Sequence, residues 1–292
     1  MKKIVLLLII LAASMSFFSC EDIDDKPIEP KLIIKFKFDP NQIRLNNVGQ
    51  ETFVPFGHAA QSPVFNTISS HYIEFAPNAN TQLGSGDVVY HGQETTLGGD
   101  NAIDFSQAKI VAEGEAFLEI PLSQLAIGSY EWMRVSLSYQ NFQIKIRKPS
   151  SSIEYDGTLA SFVGFNTYIG THSIGNTFFQ IDGNKPQGYW AFALNDFPYS
   201  SSGQAPAGAT TVPNPIASTS PIPLSSCVVT GKFALPLEIT GLEKKNVVVT
   251  LSLSTNKSFE WIDTNGNGKY DPSQGETVVD MGLRGLIPSY TK

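Results

Sequence analysis

The sequence has too few cysteines for a fold that depends on disulfide bridges. It has two cysteines in 292 residues, Cys20 and Cys227, and Cys20 lies at the predicted lipidation site described below. Cys227 would then have no partner, so a disulfide-stapled fold is excluded. The residues that follow it are β-branched, which favours a small apolar side chain packed in a strand.

Clusters of basic residues are also missing. Lysine and arginine together number 20 against 27 aspartates and glutamates, a formal net charge of −7. Removal of residues 1–19 would take Lys2 and Lys3 away and leave −9. A nucleic-acid-binding surface needs grouped cations to meet the phosphates, so no nucleic-acid partner is expected.

Sustained helical periodicity is rare, and period-two alternation dominates instead. In residues 31–38, apolar side chains alternate with Lys35 and Lys37, which is typical of a half-buried strand. Similar runs occupy 115–120, 130–139, 142–146, 189–194, 228–235, 247–253 and 277–281. Turn signals between the runs include Gly128-Ser129, Lys148-Pro149, Asp182-Gly183-Asn184 and Asn265-Gly266. The pattern predicts an all-β fold, an antiparallel β-sandwich with long loops.

One domain is expected over residues 31–292. The Pro/Ser-rich stretch 199–223 carries almost no charge and is either a linker or a long loop. As a linker it would leave a C-terminal part of about 70 residues, close to the lower limit of a self-sufficient core. We therefore expect a long loop between two strands of one sandwich.

The N-terminus has the parts of a secretory signal peptide over residues 1–19. Lys2 and Lys3 precede an apolar run of about ten residues, too short to span a bilayer as a helix. The residues before Cys20 resemble a bacterial lipobox, although Phe17 stands where leucine is more usual. The alternative is an ordinary secretory signal with a chance cysteine. Residues 20–30 are acidic and hold two prolines, which indicates a solvated tether.

The acidic run after Cys20 resembles the surface-export signal of bacteroidete lipoproteins. The resemblance implies a protein of the outer membrane that is lipid-anchored through Cys20 and exposed at the cell surface. Each methylene of an acyl chain buried in the bilayer contributes about 0.8 kcal/mol, so a multi-acylated cysteine is a firm anchor.

A glycine-rich segment near the C-terminus, "DTNGNGKYDPSQGE", has the spacing of a calcium-binding loop. Calcium prefers six to eight oxygen ligands, and alternate side chains of a tight loop converge on one point. The predicted ligands are Asp263, Asn265, Asn267, Lys269 through its backbone carbonyl, Asp271 and Glu276. Gln274 stands where the pattern requires a bidentate acid, so Glu276 can close the shell only if residues 272–274 bulge. The alternative is a hairpin turn built on Asn-Gly pairs.

Histidines number only four, and two of them share a spacing. His71 precedes Glu74 by three residues, and His91 precedes Glu94 by three residues. On a strand such a pair points to opposite faces, so a shared metal requires loop geometry. The candidate second metal site is His58, His71, Glu74 and His91, with Glu94 as the alternative carboxylate. The alternative is that these are ordinary strand-end or core histidines.

Aromatic residues of one predicted strand suggest a ligand surface. Tyr130, Trp132 and Arg134 are predicted to lie on the face opposite Met133 and Val135. If exposed, they could stack on and hydrogen-bond a flat polar ligand such as a sugar. The alternative is that they pack inside the sandwich.

Three segments resemble the MbnP-like β-sandwich family, whose named member is a periplasmic protein of the methanobactin system. They are the opening strand "KLIIKFKFDP", "GSYEWMRVSLSYQ" and "NVVVTLSLSTNKSFEW". The resemblance implies a non-enzymatic binding protein with a metal as its ligand.

The sequence thus predicts a lipid-anchored cell-surface binding or accessory protein with a structural calcium ion. Its expected partners are the membrane and an extracellular glycan or protein. Two alternatives stay open, a transition-metal-binding lipoprotein and a surface glycoside hydrolase. A hydrolase would need a pair of carboxylates at a defined separation, which one sequence does not specify.

Overall fold

The computed structural model describes residues 29–46, 50–148, 153–205 and 221–292. These ranges are all-β, with strands, short 3₁₀ turns and no α-helix, which confirms the predicted fold class. The predicted signal peptide, Cys20 and most of the tether lie outside the described residues, as does the greater part of the segment 199–223. That segment was predicted as a loop throughout, which is wrong at its start, where Ser200–Gln204 form a strand. Within the described ranges, no helix has the length and apolarity that crossing a bilayer would require.

The strands follow one another along the whole described chain. They are β1 (Lys31–Asp39), β2 (His58–Gln61), β3 (Val64–Ala76), β4 (Asp87–His91), β5 (Glu94–Thr95), β6 (Ala102–Asp104), β7 (Ala116–Pro121), β8 (Gly128–Lys148), β9 (Ile153–Phe162), β10 (Asn166–Ile174), β11 (Thr177–Pro186), β12 (Tyr189–Leu194), β13 (Ser200–Gln204), β14 (Cys227–Ile239), β15 (Val247–Ser254), β16 (Phe259–Ile262), β17 (Val278–Met281) and β18 (Arg284–Thr291). Short 3₁₀ turns occupy Phe105–Gln107, Leu122–Gln124 and Pro272–Gln274.

A central sheet of seven strands carries the architecture. Its order is β13-β12-β9-β8-β3-β4, and β14 also pairs with β8. Three smaller sheets have the orders β18-β15-β1-β7, β11-β10-β6-β5 and β17-β16-β2. Most pairs are antiparallel, but β1 runs parallel to β15 and β10 runs parallel to β6.

The main apolar core lies between the central sheet and the β18-β15-β1-β7 sheet. Alternate residues of β1, among them Ile34 and Phe36, pack against Met133, Val135 and Leu137 of β8. Cys227 is buried in the same core, which confirms the packing predicted for it. On the same face of the central sheet, a second cluster joins β8 and β9 to the β17-β16-β2 sheet and is centred on Phe142, Phe259 and Trp261.

The opposite face of the central sheet packs against β10 and β11. Tyr139, Phe162 and Tyr189 of the central sheet meet Ile169 and Ile174 of β10 there. The side chains of β8 change faces along its length, because the pairing register with β3 shifts next to Ser69 and Ser70. Leu137 therefore belongs to the main core and Tyr139 to the opposite cluster.

Two local predictions were wrong. The runs 130–139 and 142–146 form one continuous strand, β8, of 21 residues. The predicted turn at Asp182-Gly183-Asn184 lies inside β11, where Asp182 has φ of 46° and the register with β10 shifts. A β-bulge requires the same residue types as a turn, so composition does not separate the two.

Candidate functional site

His71, His91 and Glu94 form a cluster of three metal-ligating side chains. One ligand atom from each residue lies within 4.8 Å of the other two. The Nε2 of His71 is 3.0 Å from Oε1 of Glu94, and the Nε2 of His91 is 3.3 Å from the same oxygen. Ligand atoms that share a tetrahedral ion are separated by about 3.4 Å when each lies about 2.1 Å from it. The cluster therefore has the dimensions of a metal site.

The imidazole of His71 is the most buried part of this cluster. Its residue is 1% exposed, and neither of its ring nitrogens has a hydrogen-bond partner. The short approach to Glu94 is thus a contact without donor–acceptor alignment. Burial first, and then the neighbouring His91, lower the pKa of His71 to about 4, although Glu94 acts in the opposite direction. The ring is neutral at pH 7, which is the form that binds metals.

Local chain geometry brings the three residues together. β4 ends at His91 and β5 begins at Glu94, and the two residues between them lie outside both strands, so strand alternation does not separate the two side chains. The N–H of Gly92 donates to the carbonyl of His71 at 2.7 Å, which ties this interruption to β3. The amide of Asn101 donates to Oε2 of Glu94 at 2.6 Å and leaves Oε1 directed toward the histidines.

His58 and Glu74 are not part of this cluster, so that portion of the predicted site is wrong. His58 lies in β2, where its Nδ1 is 2.5 Å from Oε1 of Glu260. Arg44 contacts Glu260 at 2.5 Å and Asp280 at 3.4 Å in the same buried network. Both acids of β16 and β17 are thereby ion-paired.

Glu74 instead fixes a loop. Its carboxylate is 0% exposed and accepts from the Tyr72 hydroxyl at 3.0 Å and from the N–H groups of Gly84 and Gly86 at 2.9 and 2.6 Å. His71 and Glu74 lie on the continuous strand β3, where the same three-residue spacing separates the two side chains. This explains why the His91–Glu94 spacing forms a site and the His71–Glu74 spacing does not.

The predicted calcium loop is closed by its own side chains. Asp263 accepts from the N–H groups of Asn267 and Gly268 at 3.2 and 2.9 Å. The Oδ1 of Asn265 accepts from the N–H of Asn267 at 3.0 Å. Gly268 has φ of 68°, the left-handed conformation required at a sharp turn. These hydrogen bonds are compatible both with a calcium-binding loop and with a hairpin turn built on Asn-Gly pairs.

Two buried carboxylates distinguish this loop from a solvated turn. Asp271 is 1% exposed, and its Oδ2 accepts from the side-chain amides of Asn265 and Asn267 at 3.0 and 2.6 Å. Glu276 is 6% exposed, and its Oε2 accepts from the N–H of Asp271 at 2.6 Å. The remaining oxygens, Oδ1 of Asp271 and Oε1 of Glu276, are buried and have no hydrogen-bond partner.

Glu276 reaches the loop because the chain bulges in front of it. Pro272–Gln274 form a 3₁₀ turn, and Gly275 follows with φ of 79°. Burial raises the pKa of Glu276, and the nearby carboxylates of Asp271 and Asp263 raise it further, against the opposing hydrogen bond from Asp271. The ammonium of Lys269 lies 3.1 Å from Glu154, so this cation is directed away from the three acids.

Tyr130, Trp132 and Arg134 do not form the predicted exposed surface. Tyr130 is 4% exposed and packs in the main core with Met133, the residue predicted to lie on the other face. Its hydroxyl donates to the Ala126 carbonyl at 2.7 Å. Arg134 is 6% exposed, with its Nη1 3.8 Å from Oε1 of Glu74. Only Trp132 is half-buried at the surface, with the Lys232 ammonium 6.0 Å from its ring.

No protein-family model, no curated protein and no solved structure matches this chain. The chemistry proposed for the candidate sites therefore depends on their own residues.

Proposed function

We propose that this protein is a lipid-anchored, non-enzymatic cell-surface protein that binds a divalent transition-metal ion through His71, His91 and Glu94. The observation that carries the proposal is the imidazole of His71, which is buried with both ring nitrogens unpartnered beside a second histidine and a carboxylate. Leaving buried polar atoms without partners costs roughly 1–3 kcal/mol, and a bound metal removes part of that cost.

The donor set favours zinc, copper, nickel or cobalt over calcium or magnesium. Imidazole nitrogen is a borderline ligand that suits these ions, whereas calcium and magnesium take oxygen ligands. Three protein ligands leave at least one position for water or for a bound molecule. Asn101 would not contact the metal itself, but its hydrogen bond orients the carboxylate of Glu94, as an outer-shell residue does in known metal sites.

Isothermal titration of tag-free, metal-free protein with Zn²⁺ and Cu²⁺ tests this site. We expect one ion per chain in the parent and loss of that binding in His71→Ala. Asn101→Ala should weaken it by roughly 10–100-fold, the usual effect of losing an outer-shell partner. His58→Ala is the matched control, because that histidine also faces a carboxylate but lies outside the cluster. Equal affinity in the parent and in His71→Ala would contradict the proposal.

The lipid anchor is tested separately from the metal. Cys20→Ser should release the protein from the membrane fraction, because acyl chains on that cysteine supply the attachment. Cys227→Ser is the control and should stay with the membranes. Retention of Cys20→Ser in washed membranes would refute the anchor.

We further propose calcium as a structural ion held by residues 263–276. Support comes from the buried, unpartnered oxygens of Asp271 and Glu276, which face a loop that already gathers Asp263, Asn265 and Asn267. Extracellular calcium modules bind with dissociation constants of about 10⁻⁴ to 10⁻³ M, and that range is expected here.

A further inference from the structure

A cavity of about 290 Å³ lies between the central sheet and the segment that follows the calcium loop. Ile144 of β8 and Leu159 of β9 line it on the sheet side, and Val278 and Met281 of β17 line it on the other. Small-molecule sites span roughly 300–1,000 Å³, so this cavity is of the size that suits a compact ligand.

Aromatic rings form much of the wall, and two glycines set the positions of two of them. The ring of Trp190 covers Gly203, where an added Cβ would lie 2.8 Å from the Cζ2 atom of the indole. The ring of Phe192 covers Gly157, where an added Cβ would lie 2.1 Å from the Cζ atom of the ring. Neither ring could keep its place over a larger residue, so this part of the wall requires glycine at both positions. Tyr199 stands at the rim with 56% of its surface exposed.

The negative charge in and next to the cavity wall limits the charge that a ligand can carry. Among the described residues that line the cavity, Glu276 is the only ionisable acid or base other than two tyrosines. The carboxylates of Asp263 and Asp271 lie next to it. One bound calcium ion would still leave these three carboxylates with a net negative charge, so an anionic ligand is disfavoured with or without the ion. Ser201 and Gln204 supply a polar edge that can hydrogen-bond a neutral group.

We propose that this cavity binds an uncharged aromatic small molecule of one or two rings. Fixed indole and phenyl faces stack on a planar ligand better than on a flexible chain. The aliphatic side chains of β8, β9 and β17 bury its remaining apolar surface. The site is separate from the proposed transition-metal centre, because none of His71, His91 and Glu94 lines the cavity.

Ligand-observed saturation-transfer NMR and titration of tryptophan fluorescence test the proposal, with indole, phenol and benzoate as probes. Experiments in excess EDTA, at a temperature where circular dichroism shows the protein folded, separate this site from both metal proposals. We expect indole and phenol to bind and benzoate, which has the same ring with a negative charge, to bind at least tenfold more weakly. Trp190→Ala should weaken indole binding roughly tenfold.

Three further variants complete the comparison, two as controls and one as a second test. Trp132→Ala removes a half-buried tryptophan outside the cavity and should bind indole as the parent does. Gly203→Ala should weaken indole binding with every cavity side chain still present, because the new methyl displaces the Trp190 ring. His71→Ala should leave indole binding unchanged. Three results would each overturn the proposal: unaltered indole affinity in both Trp190→Ala and Gly203→Ala, benzoate binding equal to indole binding, or no binding of indole and phenol at millimolar concentration.

Discussion

Millimolar calcium is expected to raise the melting temperature of the soluble domain, and Asp271→Asn is expected to abolish that rise. A ligand that binds only the folded state stabilises it by RT ln(1 + [L]/Kd); with the expected Kd of about 10⁻⁴ to 10⁻³ M, calcium at about 1 mM contributes about 0.4–1.4 kcal/mol. For a domain of this size each kcal/mol corresponds to roughly 2–4 °C. Differential scanning calorimetry with calcium and with EDTA measures the shift.

The stabilisation is expected because calcium neutralises two buried carboxylates together. Asp271 and Glu276 are 1% and 6% exposed, and each holds one oxygen without a hydrogen-bond partner. Without a cation, burial and the neighbouring acids raise the pKa of Glu276. The folded state then binds a proton that the unfolded state releases, so its stability in EDTA should decrease as the pH rises above the ordinary pKa of glutamate. Calcium should reverse this trend.

Controls separate ion binding from simple loss of structure. Asp263→Ala removes a half-buried ligand and should also lose the calcium shift, whereas Asp196→Ala removes an exposed acid elsewhere and should keep it. Magnesium at the same concentration should give a smaller shift, because calcium suits a flexible site with many oxygen ligands. The calcium proposal would be contradicted if the melting temperature of the parent protein did not change on addition of calcium.

Acidification from pH 7.5 to pH 4.5 is expected to cost the folded state roughly 2–3 kcal/mol through His172 alone. This imidazole is 7% exposed and packs among Phe105, Tyr139, Phe162 and Phe179. Burial lowers its pKa from 6.5 to about 4. Between those two values the unfolded chain binds a proton that the folded chain does not, so the free energy of unfolding decreases as the pH decreases through this window.

Urea unfolding of His172→Phe at both pH values measures this contribution. The variant should lose less stability on acidification than the parent by that amount, because phenylalanine fills the same aromatic cluster without titrating. Phe179→Leu is the matched control: it alters packing beside the histidine but keeps the titrating group, so its pH dependence should equal that of the parent. The explanation fails if His172→Phe and the parent lose the same free energy.

Period-two patterning was enough to predict the fold class and several strands. Residues 31–38 were predicted as a half-buried strand, and β1 has the expected alternation of buried and exposed side chains. The parallel pairing of β1 with β15 was not predictable, because alternation within a strand carries no information about the direction of its neighbour. Nor did the alternation reveal that the pairing of β8 with β14 shifts between Lys232 and Leu237, opposite Trp132 and Tyr130, which is why Tyr130 was assigned to the wrong face.

The candidate metal centre was likewise predicted only in part from the sequence. Sequence spacing identified His71 and His91 but assigned Glu74 and Glu94 equal standing as the carboxylate. The deciding fact is that the strand is interrupted between His91 and Glu94, whereas His71 and Glu74 lie within one strand, β3. Gly92 in the first pair was the one available signal of that interruption. His58 is excluded because its strand, β2, pairs with β16, which lies far away in the sequence. Local spacing carries no information about such a pairing.

The position of β1 between β7 and β15 also governs the order in which the chain can fold. Leu32 pairs with Ile120 of β7 on one side and with Val247 of β15 on the other. A chain that emerges N-terminus first can form the antiparallel pair with β7 early, but β1 keeps one open edge until β15 has also emerged. Contacts between residues so far apart in sequence form slowly, because a long loop must close first. Closure of the main core is therefore a late event, and until then β1 has an unpaired edge that is open to incorrect pairing.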